Sequence, residues 1–103
     1  MNARVKDKLD EVERYLAELS EIAPKRFEEY SDTKTKAACE RYFEVIVEAV
    51  VDVAFLVIKD RKLRTPEDDK QAFDVLVDAK IIPAELSRRL KEAKGMRNII
   101  AHE

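Results

Sequence analysis

His102 is the only histidine of the chain, and it stands at the end of the run Gly95-Met96-Arg97-Asn98-Ile99-Ile100-Ala101-His102-Glu103. An Arg, an Asn and a His thus fall within six residues around an apolar pair. On a helix, Asn98 and His102 are four apart and share a face, so the amide can orient the imidazole. Arg97 and His102 are five apart, about 140° around the axis, and a long Arg stem can reach back over that turn. Ile99 and Ile100 anchor the run to a core and hold the polar trio at its border. Arg suits a phosphodiester oxygen, and His gives or takes a proton near neutral pH. Spacing alone leaves two readings open: a catalytic trio, or a structural and solvated helix end.

A second set of groups could do chemistry. Glu40, Glu44, Glu48 and Asp52 recur every four residues and form one narrow stripe on a helix. A di-iron bundle needs Glu-x-x-His pairs as well as inward Glu residues, and no Glu stands three residues before the single His. An all-oxygen magnesium site would need substrate phosphates to complete it. The alternative is a solvated or interface-lining stripe. Asp52 stands out, because it lies in the most apolar part of the chain, where an unpaired carboxylate is costly. Cys39 follows Ala37 and Ala38 and reads as a small apolar packing residue, since the only His lies 63 positions away. No metal and no cofactor is expected.

These groups need elements to hold them, and the composition says which. One Gly in 103 residues argues against hairpins, and with them against a β-rich fold. It also excludes glycine-rich phosphate loops. The net charge of −2 excludes a generally basic nucleic-acid coat. Residues 59–64 (KDRKLR) nevertheless carry a local +3, which reads either as solvated surface or as a site for a polyanion. The amino terminus has no apolar signal region, and the longest apolar stretch, Val45 to Ile58, is interrupted by Glu48 and Asp52. The protein is expected to be soluble and cytoplasmic, with no membrane partner.

Val5, Leu9, Val12, Leu16, Leu19 and Ile22 predict a first amphipathic helix that Pro24 ends. Lys25 to Tyr30 is expected to continue helically and to offer Phe27 and Tyr30 to the core. Ser31, Asp32 and Thr33 are cap candidates for a long second helix reaching about Arg61. Thr65-Pro66 predicts a third helix, with Thr65 as cap and Ala72, Phe73, Leu76 and Val77 buried. A fourth begins at Pro83 and carries Leu86, Leu90 and Ala93 at helical spacing. Gly95 is expected to cap or hinge it, leaving 96–103 as a short, truncated fifth helix. The expectation is one all-α domain over residues 1–103: an up-and-down bundle of four helices plus that fifth. It should dimerise through the apolar second helix and the 95–103 segment.

Arg97-Asn98-x-x-x-His102, after a glycine and at the end of a helical chain of this length, resembles the Arg-x-x-x-x-His motif of the HEPN superfamily. Its style is similar to that of the HepT-like ribonuclease toxins of HepT/MNT-type toxin–antitoxin pairs. EAVVDVAFLVI resembles the second helix of that family, with its acid at Asp52, and TPEDDKQAFDVLVDAKIIPAEL resembles its third helix and the turn beyond. The likeness runs from about Thr33 onward; the family's Tyr, two residues after the His, would fall at position 104. The resemblance implies a metal-independent endoribonuclease acting on RNA as a homodimer, neutralised by a small nucleotidyltransferase antitoxin, with no DNA partner. It implies that Arg97 stabilises the phosphorane and His102 transfers protons. Asn98 and Asp52 would bind or orient substrate. The rival expectation is a non-catalytic interaction module that binds a nucleotidyltransferase or a nucleotide.

Overall fold

A computed structural model describes residues 2–25 and 32–102. Four helices make up the regular structure of those residues: α1 (Ala3–Ile22), α2 (Thr33–Asp60), α3 (Asp69–Asp78) and α4 (Ala84–Ala101). The all-α architecture is the expected one. The expected helical turn at Lys25 to Tyr30, with Phe27 and Tyr30, falls mostly outside the described residues.

Local chemistry explains most boundaries. Asn2 caps α1, its side-chain oxygen accepting from the Arg4 N–H at 2.7 Å. At the other end Ala23 is extended (ψ 127°), as the residue before Pro24 must be. Asp32 is the cap of α2 and accepts from both the N–H and the hydroxyl of Thr35, each at 3.0 Å. Helix α3 starts three residues later than Thr65-Pro66 suggested. Asp68 caps it by accepting from the Gln71 N–H at 2.7 Å, and Gln71 reaches back to accept from the Glu67 N–H. Pro66 is buried in the connecting loop instead of opening the helix.

Both α2 and α3 end with a lysine in the left-handed region, Lys62 (φ 54°) and Lys80 (φ 61°). In each case the next N–H returns to a carbonyl five residues back, Leu63 to Ile58 at 3.0 Å and Ile81 to Leu76 at 2.9 Å. Leu63 and Ile81 also pack on the core beside those residues, which completes the capping motif. The only glycine is not used for this. Helix α4 runs through Gly95 without a break, so the expected hinge and separate fifth helix are replaced by one continuous element. The strong helix formers around Gly95 outweigh its intrinsic cost.

Helix α2 spans the molecule, whose extents are 46 × 26 × 22 Å. One core half joins α1 to α2 through Val12, Ile46 and Ala49, with Tyr15 and Leu19 against them. The other joins α2 to α3 and α4 through Val51, Ala54, Ile58, Phe73 and Leu76, with Leu90 packed alongside. Helix α1 touches no other described helix. The predicted stripes are rotated slightly. Leu16 is 49% exposed while Tyr15 turns inward, and Leu86 is 40% exposed while Ser87 is buried. Val75, unpredicted, is buried in α3, and Val77 is half-buried.

A Cβ built on Gly95 meets only the flexible Lys70 Nζ, at 3.8 Å. Gly95→Ala should therefore stabilise the protein by about 1 kcal/mol in urea unfolding. A loss of stability would show that close packing, not helix continuity, governs that position.

Candidate functional site

The last turns of α4 divide the expected trio between different surroundings. Arg97 points toward α2, where its Nη2 donates to Glu48 Oε1. Its side chain is 24% exposed, and its Nε is buried without a hydrogen-bond partner among the described residues. Around it lies an open cleft lined by Glu48, Asp52, Phe55, Asp69 and Lys94. Asn98 is exposed and faces a separate shallow cleft at the start of α3, beside Asp68 and Lys70. The Lys94–Asp69 ion pair, at 2.9 Å, borders both clefts. His102 caps α4, its backbone N–H returning to Ile99 O at 3.2 Å, with the ring exposed. No side-chain hydrogen bond joins Asn98 to His102 among the described residues. Within one chain, Arg97 and Asp52 share a cleft, and Asn98 and His102 stand outside it.

Each member of the carboxylate stripe has taken a cation. Glu40 faces Lys36 at 3.8 Å, Glu44 faces Arg41 at 3.4 Å, and Asp52 faces Lys8 of α1 at 3.4 Å. Glu48 holds Arg97. The Asp52 carboxylate is 56% exposed, so it does not bear the desolvation cost its apolar neighbours suggest. Lys8 is held above its ordinary pKa, chiefly by its hydrogen bond to Glu11 and then by Asp52. Among the described residues no group of three or more His, Cys, Asp or Glu is placed to hold a metal ion. Cys39 is free and half-buried. No described helix is long and apolar enough to cross a membrane.

Glu48, Asp69 and Lys94 were not singled out from the sequence as partners of the site. Lys94 had a signal, since it lies three residues before Arg97 on the same face of one helix. Glu48 had none beyond its place in the stripe, because it lies 49 residues from Arg97. The cleft carries three carboxylates against two cations. It is a poor anion site as it stands. Its guanidinium is already occupied, and an incoming phosphate must displace or share Glu48.

Known proteins match this chain in family profile and in fold. A family profile described as ribonuclease HepT-like matches residues 9–103. A toxin–antitoxin structure solved with AMP-PNP superposes with a TM-score of 0.92 at 22% identity, covering 99% of this chain and 77% of that one. A tri-AMPylated Shewanella oneidensis HEPN toxin in complex with MNT antitoxin gives the same score, identity and coverage. YutE of Bacillus subtilis, a cytosolic protein of unknown function, superposes at 0.80 with 18% identity, covering 95% of this chain and 65% of that one. No curated protein matches in sequence.

Replacing Glu48 by Gln should free the guanidinium of Arg97 while changing stability by less than about 1 kcal/mol, as the pair is partly exposed. Titration with inorganic phosphate, followed by NMR shifts of the Arg97 side chain, should show tighter binding in the variant. Equal affinity in both proteins would show that Glu48 does not compete for the site.

Proposed function

The chain belongs to the ribonuclease HepT-like family, and on that premise we propose that it is the toxin of a toxin–antitoxin pair, a metal-independent endoribonuclease working as a homodimer. Residues 1–103 would act as one domain, on RNA in the cytoplasm, and a small nucleotidyltransferase would be the antitoxin. The observation that carries the reading is the end of α4. There a guanidinium held at an open cleft and the chain's only imidazole lie five residues apart on one helix. The antitoxin assignment is supported by likeness to toxin structures solved with theirs.

Cleavage by 2′-hydroxyl attack requires a base and an acid on opposite sides of the phosphate. One chain has a single His. Two copies about a two-fold axis supply two His102 rings and two Arg97 guanidinium groups. One ring takes the proton of the 2′-hydroxyl as that oxygen bonds to phosphorus. The other gives a proton to the departing 5′-oxygen. Arg97 offsets the charge that builds on the non-bridging oxygens. The products are a 2′,3′-cyclic phosphate and a 5′-hydroxyl. Asn98 would bind or orient the phosphate, and Asp52 would help position the strand. DNA, lacking the 2′-hydroxyl, is not a substrate.

The dimer reading has support of its own. Met96 is 54% exposed on the motif-bearing helix, and Ile99, expected to anchor that helix in the core, is instead 65% exposed. Two apolar side chains so exposed three residues apart on one helix suit contact with a second copy.

His102→Ala should lower RNA cleavage by about 10²- to 10⁴-fold while leaving the dimer and antitoxin capture intact. Mixed dimers with one wild-type chain should be severely impaired, and the wild-type pH profile should be bell-shaped. Retained activity in His102→Ala, or activity lost in EDTA and restored by magnesium, would contradict the mechanism. A chain that captures the nucleotidyltransferase but cuts no RNA would be a non-catalytic module.

A further inference from the structure

The Arg97 cleft does not end at Asp52 and Phe55. Those two residues also line a second cleft, whose other walls are Arg4, Lys8, Leu56 and Lys59. Glu48, Asp52, Phe55 and Lys59 follow one another along one face of α2, over about 16 Å of helix rise. The second cleft carries three cations against one carboxylate, the reverse of the balance beside Arg97. Of these groups, Asp52 is answered by Lys8, and the nearby Asp60 accepts from Asn2 Nδ2 at 3.1 Å. Arg4 and Lys59 are exposed and make no ion pair among the described residues. Arg4 also sits in the first turn of α1, which contains no acid. A cation there opposes the helix dipole, so the position works against local stability. Phe55 lines both clefts and is 37% exposed.

We infer that the surface running from Arg97 past Phe55 to Arg4 and Lys59 is a track for single-stranded RNA, with phosphates on Arg4 and Lys59 and a base stacked on Phe55. A basic groove interrupted by an exposed aromatic ring is the arrangement that holds single strands without reading their sequence. It rests on the ribonuclease reading, and it adds to it a binding surface remote from the reacting phosphate. The track brings the strand to Arg97 from the side where cations are in excess. The basic run 59–64 thereby gains a role at its first residue.

The test uses the full chain carrying His102→Ala, so that RNA survives, and the anisotropy of a labelled oligouridylate of about twelve nucleotides. Adding Arg4→Gln with Lys59→Gln should weaken binding and reduce the log–log salt slope by about 1.4, since each phosphate left without its cation removes about 0.7. Phe55→Ala should weaken binding at least about fivefold with the slope unchanged. Lys34→Gln with Lys80→Gln, the same change in charge elsewhere, should leave both unaltered. In an otherwise unmodified chain, Arg4→Gln with Lys59→Gln should cut the dinucleotide UpU as well as the parent does, since a dinucleotide is too short for the track. If the parent chain cuts neither the dinucleotide nor a longer oligoribonucleotide, the ribonuclease reading fails while the salt slopes still decide the track. Equal slopes for the two double variants, or no measurable RNA binding, would overturn the track. Loss of antitoxin capture by the Arg4/Lys59 variant with RNA binding unchanged would overturn it too, and would assign the patch to a protein partner.

Discussion

Helix α2 has to be buried on two sides at once. Ile46 and Ala49 lie in the half of the chain that meets α1, and Ala54 and Ile58 lie in the half that meets α3 and α4. A 28-residue helix that serves two core halves has one strip of surface left for charge. Glu40, Glu44, Glu48 and Asp52 occupy that strip. Their places are a consequence of packing before they are anything else. Because α4 docks beside the strip, its Arg97 meets Glu48, a carboxylate that the core has already fixed in register.

The consequence is electrostatic. Arg97 is the group best suited to a phosphate, yet Glu48 satisfies it in the isolated chain. Holding the guanidinium this way fixes its place and leaves its buried Nε without a partner among the described residues. A phosphodiester can offer more than one oxygen to an Arg fork, and a charge-assisted pair of that kind is strong. Exchange of Glu48 for phosphate is therefore a local rearrangement of one pair. The cost falls on a carboxylate that is 48% exposed and can turn to water.

Much of this was legible in the residues. The four helices follow from apolar spacing, and the end of α1 follows from Pro24. What escaped was of three kinds. The start of α3 depended on Asp68 and Gln71 outcompeting Thr65-Pro66 as a cap, a choice between two plausible local signals. Gly95 read as a stop because turns usually need glycine, but here Lys62 and Lys80 take the left-handed positions and the glycine stays helical. The rotation that buries Ser87 and exposes Leu86 depends on how α3 and α4 meet, which spacing within one helix does not contain. The site divides in the same way. The expectation for Arg97 and His102 rests on residue type and spacing, whereas the pairing of Arg97 with Glu48 is long-range and exists only after folding.

Arg97 and His102 are proposed to act on RNA through its own 2′-hydroxyl. The chemical nature of the cut ends tests this most directly. A defined oligoribonucleotide incubated with the protein in EDTA, with His102→Ala as the blank, is analysed by mass spectrometry. The expected ends are a 2′,3′-cyclic phosphate, or the 3′-phosphate it hydrolyses to, opposite a 5′-hydroxyl. A 5′-phosphate opposite a 3′-hydroxyl, or the same ends in the His102→Ala blank, would contradict it.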